Sequence, residues 1–217
     1  MSHGFKSIIF DLDGTLIDSS TGILWALKTA FSQCKVSPLR PWSPSLIGPP
    51  LRQIISQQSE SQDSLLLDSL CSSFINLYDS DGYRLSNPYN GIQPLLDELL
   101  EKGCRLFIAT NKRIAPTNKI LNYLNWSSKF EGIFGIDSFA DIQAAKKEHI
   151  IRRVTHDFNL PKKNTLYIGD RFEDYQAAVS AEVDLIIVAW GFGESHRLVP
   201  KTIRKAACTD TLWKLLL

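Results

Sequence analysis

Short apolar runs bounded by polar or turn-forming clusters recur along this chain, and between them lie stretches whose apolar residues return every third or fourth position. The first run, Ser7-Ile8-Ile9-Phe10, stops at Asp11 and reads as a short strand buried on both faces, the kind found in a parallel sheet. Ser19 or Ser20 can then cap a helix in which Ile23, Leu24, Leu27, Ala30 and Phe31 share one face, running to about Cys34. Pro38, Pro41, Pro44, Pro49 and Pro50 keep residues 36 to 50 from forming one regular element. Leu51 to Gln57 reads as a short helix and the polar run Ser56 to Gln62 as an exposed loop. Leu65 to Tyr78 reads as a longer helix with Leu66, Leu70, Phe74 and Leu77 inward. No convincing strand lies between residues 18 and about 86.

Past Asn87-Pro88 helix and strand alternate, as they do when a parallel sheet is covered on both faces. Helices are predicted over Gly91 to Lys102 (ending at Gly103), Ile114 to Leu124, Lys146 to Phe158, Glu173 to Ala181 and Thr209 to Leu217. Strands are predicted over Arg105 to Ala109, Gly132 to Ile136, Thr165 to Ile168 and Leu185 to Val188. The expected fold is α/β, a Rossmann-like parallel-sheet core with a mostly helical domain inserted after the first strand. Residues 1–17 and 87–217 form the core of this reading, and residues 18–86 the insert.

Composition narrows the function classes. At 217 residues the chain can bury roughly 70% of its unfolded surface without staples. Its 24 basic and 23 acidic residues leave a net charge of +1, with no basic run longer than Lys146-Lys147 or Lys162-Lys163. A groove that tracks nucleic-acid phosphates needs a larger excess, so no nucleic-acid partner is expected. Cys34, Cys71, Cys104 and Cys208 lie far apart with no C-x-x-C pair, which argues against a zinc knuckle or dithiol centre and for reduced thiols in the cytoplasm. No leader pattern and no run near the ~20 apolar residues of a membrane span is present, so a soluble, unprocessed monomer or homodimer is expected.

The chemistry gathers where open parallel sheets bind ligands, outside the carboxyl ends of the strands. Asp11 and Asp13 follow the first strand, Thr110, Asn111 and Lys112 the second, and Asp170 and Asp174 a later one. Lys146 or Lys147 opens a helix at the same edge. Carboxylates directly after a core strand need a cation, amide hydrogens or solvent, because burying one alone costs several kcal/mol. Gly14 permits a tight turn and close approach of a ligand, and Thr15 adds a hydroxyl and an amide. The stretch is either a magnesium and anion site or a polar turn closing a strand. Thr110 can equally be a turn former, and Asp174 can simply favour the positive start of its helix.

Four segments together resemble the haloacid dehalogenase-like superfamily of phosphatases. Asp11-Leu12-Asp13-Gly14-Thr15 is similar to its first motif, Thr110 in Phe107-Ile108-Ala109-Thr110-Asn111-Lys112 to the second, Lys147 (with Lys146 the neighbouring alternative) to the third, and Gly169-Asp170-Arg171-Phe172-Glu173-Asp174 to the fourth. Thr110-Asn111-Lys112, Tyr89-Asn90-Gly91 and Trp190-Gly191-Phe192-Gly193 look like the phosphoglycolate phosphatase branch, and the insert looks like that branch's cap. The resemblance implies that Asp11 is a nucleophile forming an aspartyl phosphate, and that Asp13 is first acid and then base. It implies magnesium on Asp11, the Asp13 carbonyl and Asp170, and a small phosphorylated substrate. Gly14, Thr110, Asn111 and Lys147 would bind the phosphate together with Asp11, and Asp174 would support the metal or Lys147.

A phosphomutase of the same fold, or a ligand-binding regulator that keeps it, are the rival readings. His149 and His156 read as ordinary surface residues, and Trp25, Trp42, Trp126 and Trp213 as packing, with Trp190 near the active edge. Ser19, Trp42, Arg52 and Tyr78 are candidate cap contacts to substrate, and hinges are expected at residues 16–19 and 83–88. Glu182 stands where relatives usually have glycine. A left-handed backbone there would cost roughly 1 kcal/mol.

Overall fold

Each apolar run after a turn cluster becomes a strand, and each periodic stretch a helix laid against it. In the computed structural model, which describes residues 5–139, 146–192 and 195–216, the chain begins with β1 (Ser7–Phe10), β2 (Ile17–Asp18), α1 (Ser20–Gln33), α2 (Leu51–Ser59), α3 (Ser64–Ser80) and β3 (Asn87–Pro88). The alternating part follows as α4 (Ile92–Glu101), β4 (Arg105–Ala109), α5 (Ile114–Tyr123), β5 (Gly132–Phe134), α6 (Lys147–Asp157) and β6 (Thr165–Gly169). It ends with α7 (Phe172–Ala181), β7 (Asp184–Val188), β8 (Arg204–Ala206) and α8 (Thr209–Leu216).

Six strands form one parallel sheet in the order β5-β4-β1-β6-β7-β8. β1 is central, with Phe10 opposite Ile108 of β4 on one side and Ile168 of β6 on the other. Because side chains alternate across a strand, Ile8 and Phe10 face α4 through Leu95, Leu96 and Leu99, while Ile9 joins Phe107 and Tyr167 against Ile150, Ile151 and Val154 of α6. Both faces are therefore dry, and the polar groups of the sheet gather at its carboxyl edge.

The three helices between β2 and β3 build a separate apolar cluster. Ile23, Leu27 and Phe31 of α1 meet Ile54 and Ile55 of α2 and Leu67, Leu70 and Phe74 of α3. The chain leaves and re-enters the sheet region side by side, since Ile17 and Asp18 pair antiparallel with Pro88 and Asn87. Close packing of α1 on the turn after α3 depends on Gly22, where a Cβ would collide with the carbonyl of Gly82.

Several local expectations shift. Ser19 sits before α1 but does not cap it, because its hydroxyl donates to Asp13 Oδ1 at 2.5 Å, and the amide of Ser20 is taken by Asp18 Oδ1 at 2.9 Å. α2 runs on to Ser59, absorbing half of the expected loop, because Gln58 is buried and its side chain accepts the Arg40 amide. The inward stripe of α3 is Leu67, Leu70, Phe74 and Tyr78, with Leu66 and Leu77 half-buried. Its rotation is set by the face of α1 that it meets. Trp25 is exposed rather than packed, while Trp126 is fully buried. β5 stops at Phe134, and β8, with two basic residues of three, is an edge strand that its charge concealed. Glu182 is left-handed at φ 59°. Leu217 lies outside the described residues. Among those residues no helix is long and apolar enough to cross a membrane.

Candidate active site

Asp11 extends β1 by one residue, its amide donating to the Ile168 carbonyl at 2.8 Å, so the sheet itself delivers the carboxylate to the edge. One oxygen, Oδ1, accepts the Leu12 amide at 2.8 Å, and the other lies 2.6 Å from Nζ of Lys147. Lys147 is the first residue of α6, and the burial of Ile150, Ile151 and Val154 against the sheet turns its side chain inward. Its ammonium also meets Asp174 Oδ1 at 2.7 Å. Lys146, at the preceding position, is exposed.

Asp174 is the most completely held of the acids. Oδ1 also accepts the Tyr167 hydroxyl at 2.9 Å, and Oδ2 accepts the amides of Asp170 at 3.1 Å and Arg171 at 2.9 Å. These bonds tie β6 to the start of α7 and set the path of the loop that carries Asp170. Asp170 receives the Phe192 amide at 2.8 Å and, at the limit of a hydrogen bond, the Thr15 hydroxyl at 3.5 Å. Glycines make room for it. A Cβ on Gly14, whose φ is +84°, would stand 2.5 Å from Asp170 Oδ2, and one on Gly191 would also collide with that carboxylate. The aromatic neighbour Trp190 bonds the Thr15 carbonyl through Nε1 at 3.2 Å, which ties the loop after β7 to the loop after β1.

This density of acids has an electrostatic signature. Burial pushes the Asp11 carboxyl up to about 6, with Lys147 pulling the other way and Asp174 and Asp13 adding to the rise. Burial, then the charges of Asp174 and Asp11, carry Asp170 well above the ordinary carboxylate range. Burial disfavours the charge on Lys147, yet the Asp11 and Asp174 carboxylates hold its pKa above the usual lysine value. Asp11, Asp170 and Asp174 each offer an oxygen, all within 4.8 Å of one another, and a single ammonium, Lys147, sits among them. With all three acids ionised, two negative charges would be left over in a buried place. That donor set suits one hard divalent cation, which takes carboxylate and carbonyl oxygens.

Asp13 belongs to a second cluster beside the first. Lys112 Nζ lies 3.0 and 2.9 Å from its two oxygens and 4.6 Å from the centre of the Tyr78 ring. The motifs assign Lys112 no role; its place two residues beyond Thr110, on a strand-end loop, is the one sequence signal for it. The Thr110 hydroxyl accepts the Lys112 amide at 3.2 Å. Asn111 reaches away from the acids to the Gly48 carbonyl at 3.0 Å. Arg171 donates to the carbonyls of Ile47 and, at 3.2 Å, Phe192. Arg113 pairs with Asp79 at 2.7 Å. These bonds seat the helical insert over the sheet edge.

Between them lies a cavity of about 240 Å³. Its floor is Asp11, Asp13, Thr110, Asn111 and Lys112, and its walls come from α1, the 47–50 loop, α2 and α3. Of the candidate substrate contacts, Arg52 and Tyr78 line it. Ser19 is bound to Asp13, and Trp42 packs edge-on against Phe31. His149 and His156 are exposed, and the four cysteines are free.

Residues 8–188 match the family described as haloacid dehalogenase-like hydrolase. A protein named tyrosine-protein kinase PtkA from Mycobacterium tuberculosis is 27% identical over 94% of this chain and 70% of its own length. A phosphoglycolate phosphatase from Xylella fastidiosa is 28% identical, covering 91% of this chain and 85% of its own. The crystal structure of a predicted phosphatase from Clostridium acetobutylicum superposes with a TM-score of 0.85 at 25% identity, covering 97% of each chain. With three motifs at strand ends of one parallel sheet and Lys147 opening the helix beside them, the chain belongs to the haloacid dehalogenase-like hydrolases, in the phosphoglycolate phosphatase-like branch, and its enzyme class is that of a phosphoric monoester hydrolase.

Proposed function

We propose that this hydrolase removes the phosphoryl group from a small phosphorylated metabolite through an aspartyl phosphate on Asp11, with magnesium as cofactor. The observation that carries the reading is the buried cluster at the carboxyl edge of the sheet, where Asp11, Asp170 and Asp174 lie together and Asp11 and Asp174 share Lys147. Asp11, Asp170 and the backbone carbonyl of Asp13 would hold the magnesium ion. When bound, the ion supplies the positive charge that lets an anionic nucleophile and an anionic phosphoryl group approach.

A carboxylate oxygen of Asp11 attacks phosphorus, and the bond from phosphorus to the ester oxygen breaks. Asp13 gives a proton to that oxygen, so the alcohol leaves neutral. In the second half Asp13 takes a proton from water, whose oxygen attacks the phosphorus of the aspartyl phosphate. Asp11 and inorganic phosphate are released. Thr110, the Asn111 amide and Lys147 hold the other phosphoryl oxygens, with room provided at Gly14. Asp174 acts through Lys147, which it orients. Residues 18–86 act as a cap over residues 1–17 and 87–217, hinging at 16–19 and 83–88 to exclude water and release product. A reducing cytoplasm suits the four free cysteines.

The test is phosphate release from an aryl phosphate with magnesium, compared with the Asp11→Asn protein. A loss of several orders of magnitude in the variant is expected. Equal rates from the two proteins overturn the mechanism.

A further inference from the structure

Once the floor has been assigned to the phosphoryl group, the rest of the cavity has to hold the alcohol part of the ester. Its walls are carbon: Ile23 from α1, Ile47 and Pro49 from the loop, Ile54 from α2, Phe74 and Ile75 from α3. Three cations line it, and each already has a carboxylate. Lys112 is held by Asp13, Arg113 by Asp79 at 2.7 Å, and Arg52 by Asp68. Asn111, the neutral donor nearest the floor, is bonded to the Gly48 carbonyl.

A substrate with a second anionic group, such as the carboxylate of phosphoglycolate, would meet no unpaired cation among the described lining residues. Burying an unpaired carboxylate against isoleucine and phenylalanine is unfavourable. An alkyl or aryl group gains from the same walls by leaving water.

We propose that this cavity selects phosphomonoesters whose alcohol part is apolar, alkyl or aryl, and discriminates against those that carry a second anion. The specificity-determining residues are Ile54, Phe74 and Ile75, which form the wall. The proposal rests on the phosphatase reading for its substrate, but not for its test.

Initial rates are measured with hexyl phosphate, phenyl phosphate and phosphoglycolate under one set of conditions. Binding of the same three compounds to the Asp11→Asn protein is followed by calorimetry. The apolar esters are expected to exceed phosphoglycolate by at least about tenfold in kcat/KM and in affinity, the lower end of the roughly 10–200-fold that a single methylene in a hydrophobic pocket can deliver. The Ile75→Lys protein, which places a cation in the half-buried wall, is expected to shift that ratio towards phosphoglycolate. If none of the three is hydrolysed, the phosphatase reading fails, and the calorimetric ratio still decides the selectivity. Phosphoglycolate bound or turned over as well as the apolar esters overturns the proposal, as does a ratio unmoved in a folded Ile75→Lys protein.

Discussion

The floor and the roof of the cavity are built on different principles. On the floor nearly every polar atom has a named partner, and the acids sit at the ends of β1 and β6, two strands hydrogen-bonded to each other. The roof is a three-helix apolar cluster with its own core, joined to the sheet by the paired segments β2 and β3 and by a few polar ties, Asn111 to Gly48, Arg171 to Ile47 and Arg113 to Asp79. Geometry on the floor is inherited from the sheet, which cannot shift one residue without turning every side chain to the other face. The roof can change its lining without touching that register.

The largest expected effect breaks the floor. In the Lys147→Met protein the carboxylates of Asp11 and Asp174 remain buried without their shared ammonium. Removing one partner of a buried ion pair costs about 3–5 kcal/mol, so denaturant titration should show a loss of that order together with loss of phosphatase activity. A stability within 1 kcal/mol of the wild type would mean that the acids are not under the strain their burial implies.

A second measurement sharpens the floor without removing its lysine. Magnesium at about one hundred times its dissociation constant should stabilise the folded protein by about 2.7 kcal/mol, read as a rise in Tm. The Asp170→Asn protein should lose most of that rise. Equal shifts in both would send the ion elsewhere.

The smallest effect concerns the roof. Arg113→Gln cuts the tie to Asp79, which as a partly exposed pair contributes on the order of 0.5 kcal/mol. Global stability should hardly move, while KM for an apolar ester rises, because part of the binding energy then goes to seating the insert. A fall in kcat with KM unchanged would contradict the idea that this pair acts on the roof alone.

Much of the floor was legible before any coordinates, because strand ends are marked by the switch from Ile-Ile-Phe or Leu-Tyr-Ile to Gly and Asp. Asp11, Asp13 and Asp170 could be read from that switch, and Thr110 from the polar run that ends Leu-Phe-Ile-Ala. Lys112 could not be assigned a partner, since nothing local says that a lysine 99 residues away will meet Asp13. Ser19 looked like a helix cap by position, and a nearby carboxylate outcompeted the backbone for its hydroxyl. The stripe on α3 was misread by part of a turn because Leu65, Leu66 and Leu67 are consecutive, and hydrophobicity alone does not choose among them.

Taken by itself, the order of residues determined the element types, the parallel sheet and the acids at its edge, since these depend on period and on the chemistry of neighbours in the chain. Packing alone decided that Lys147 and not Lys146 faces the acids, that Lys112 is held by Asp13, and that carbon lines the roof. Those outcomes depend on how far each helix is rotated when its apolar face meets another, and that angle is set by partners distant in the chain.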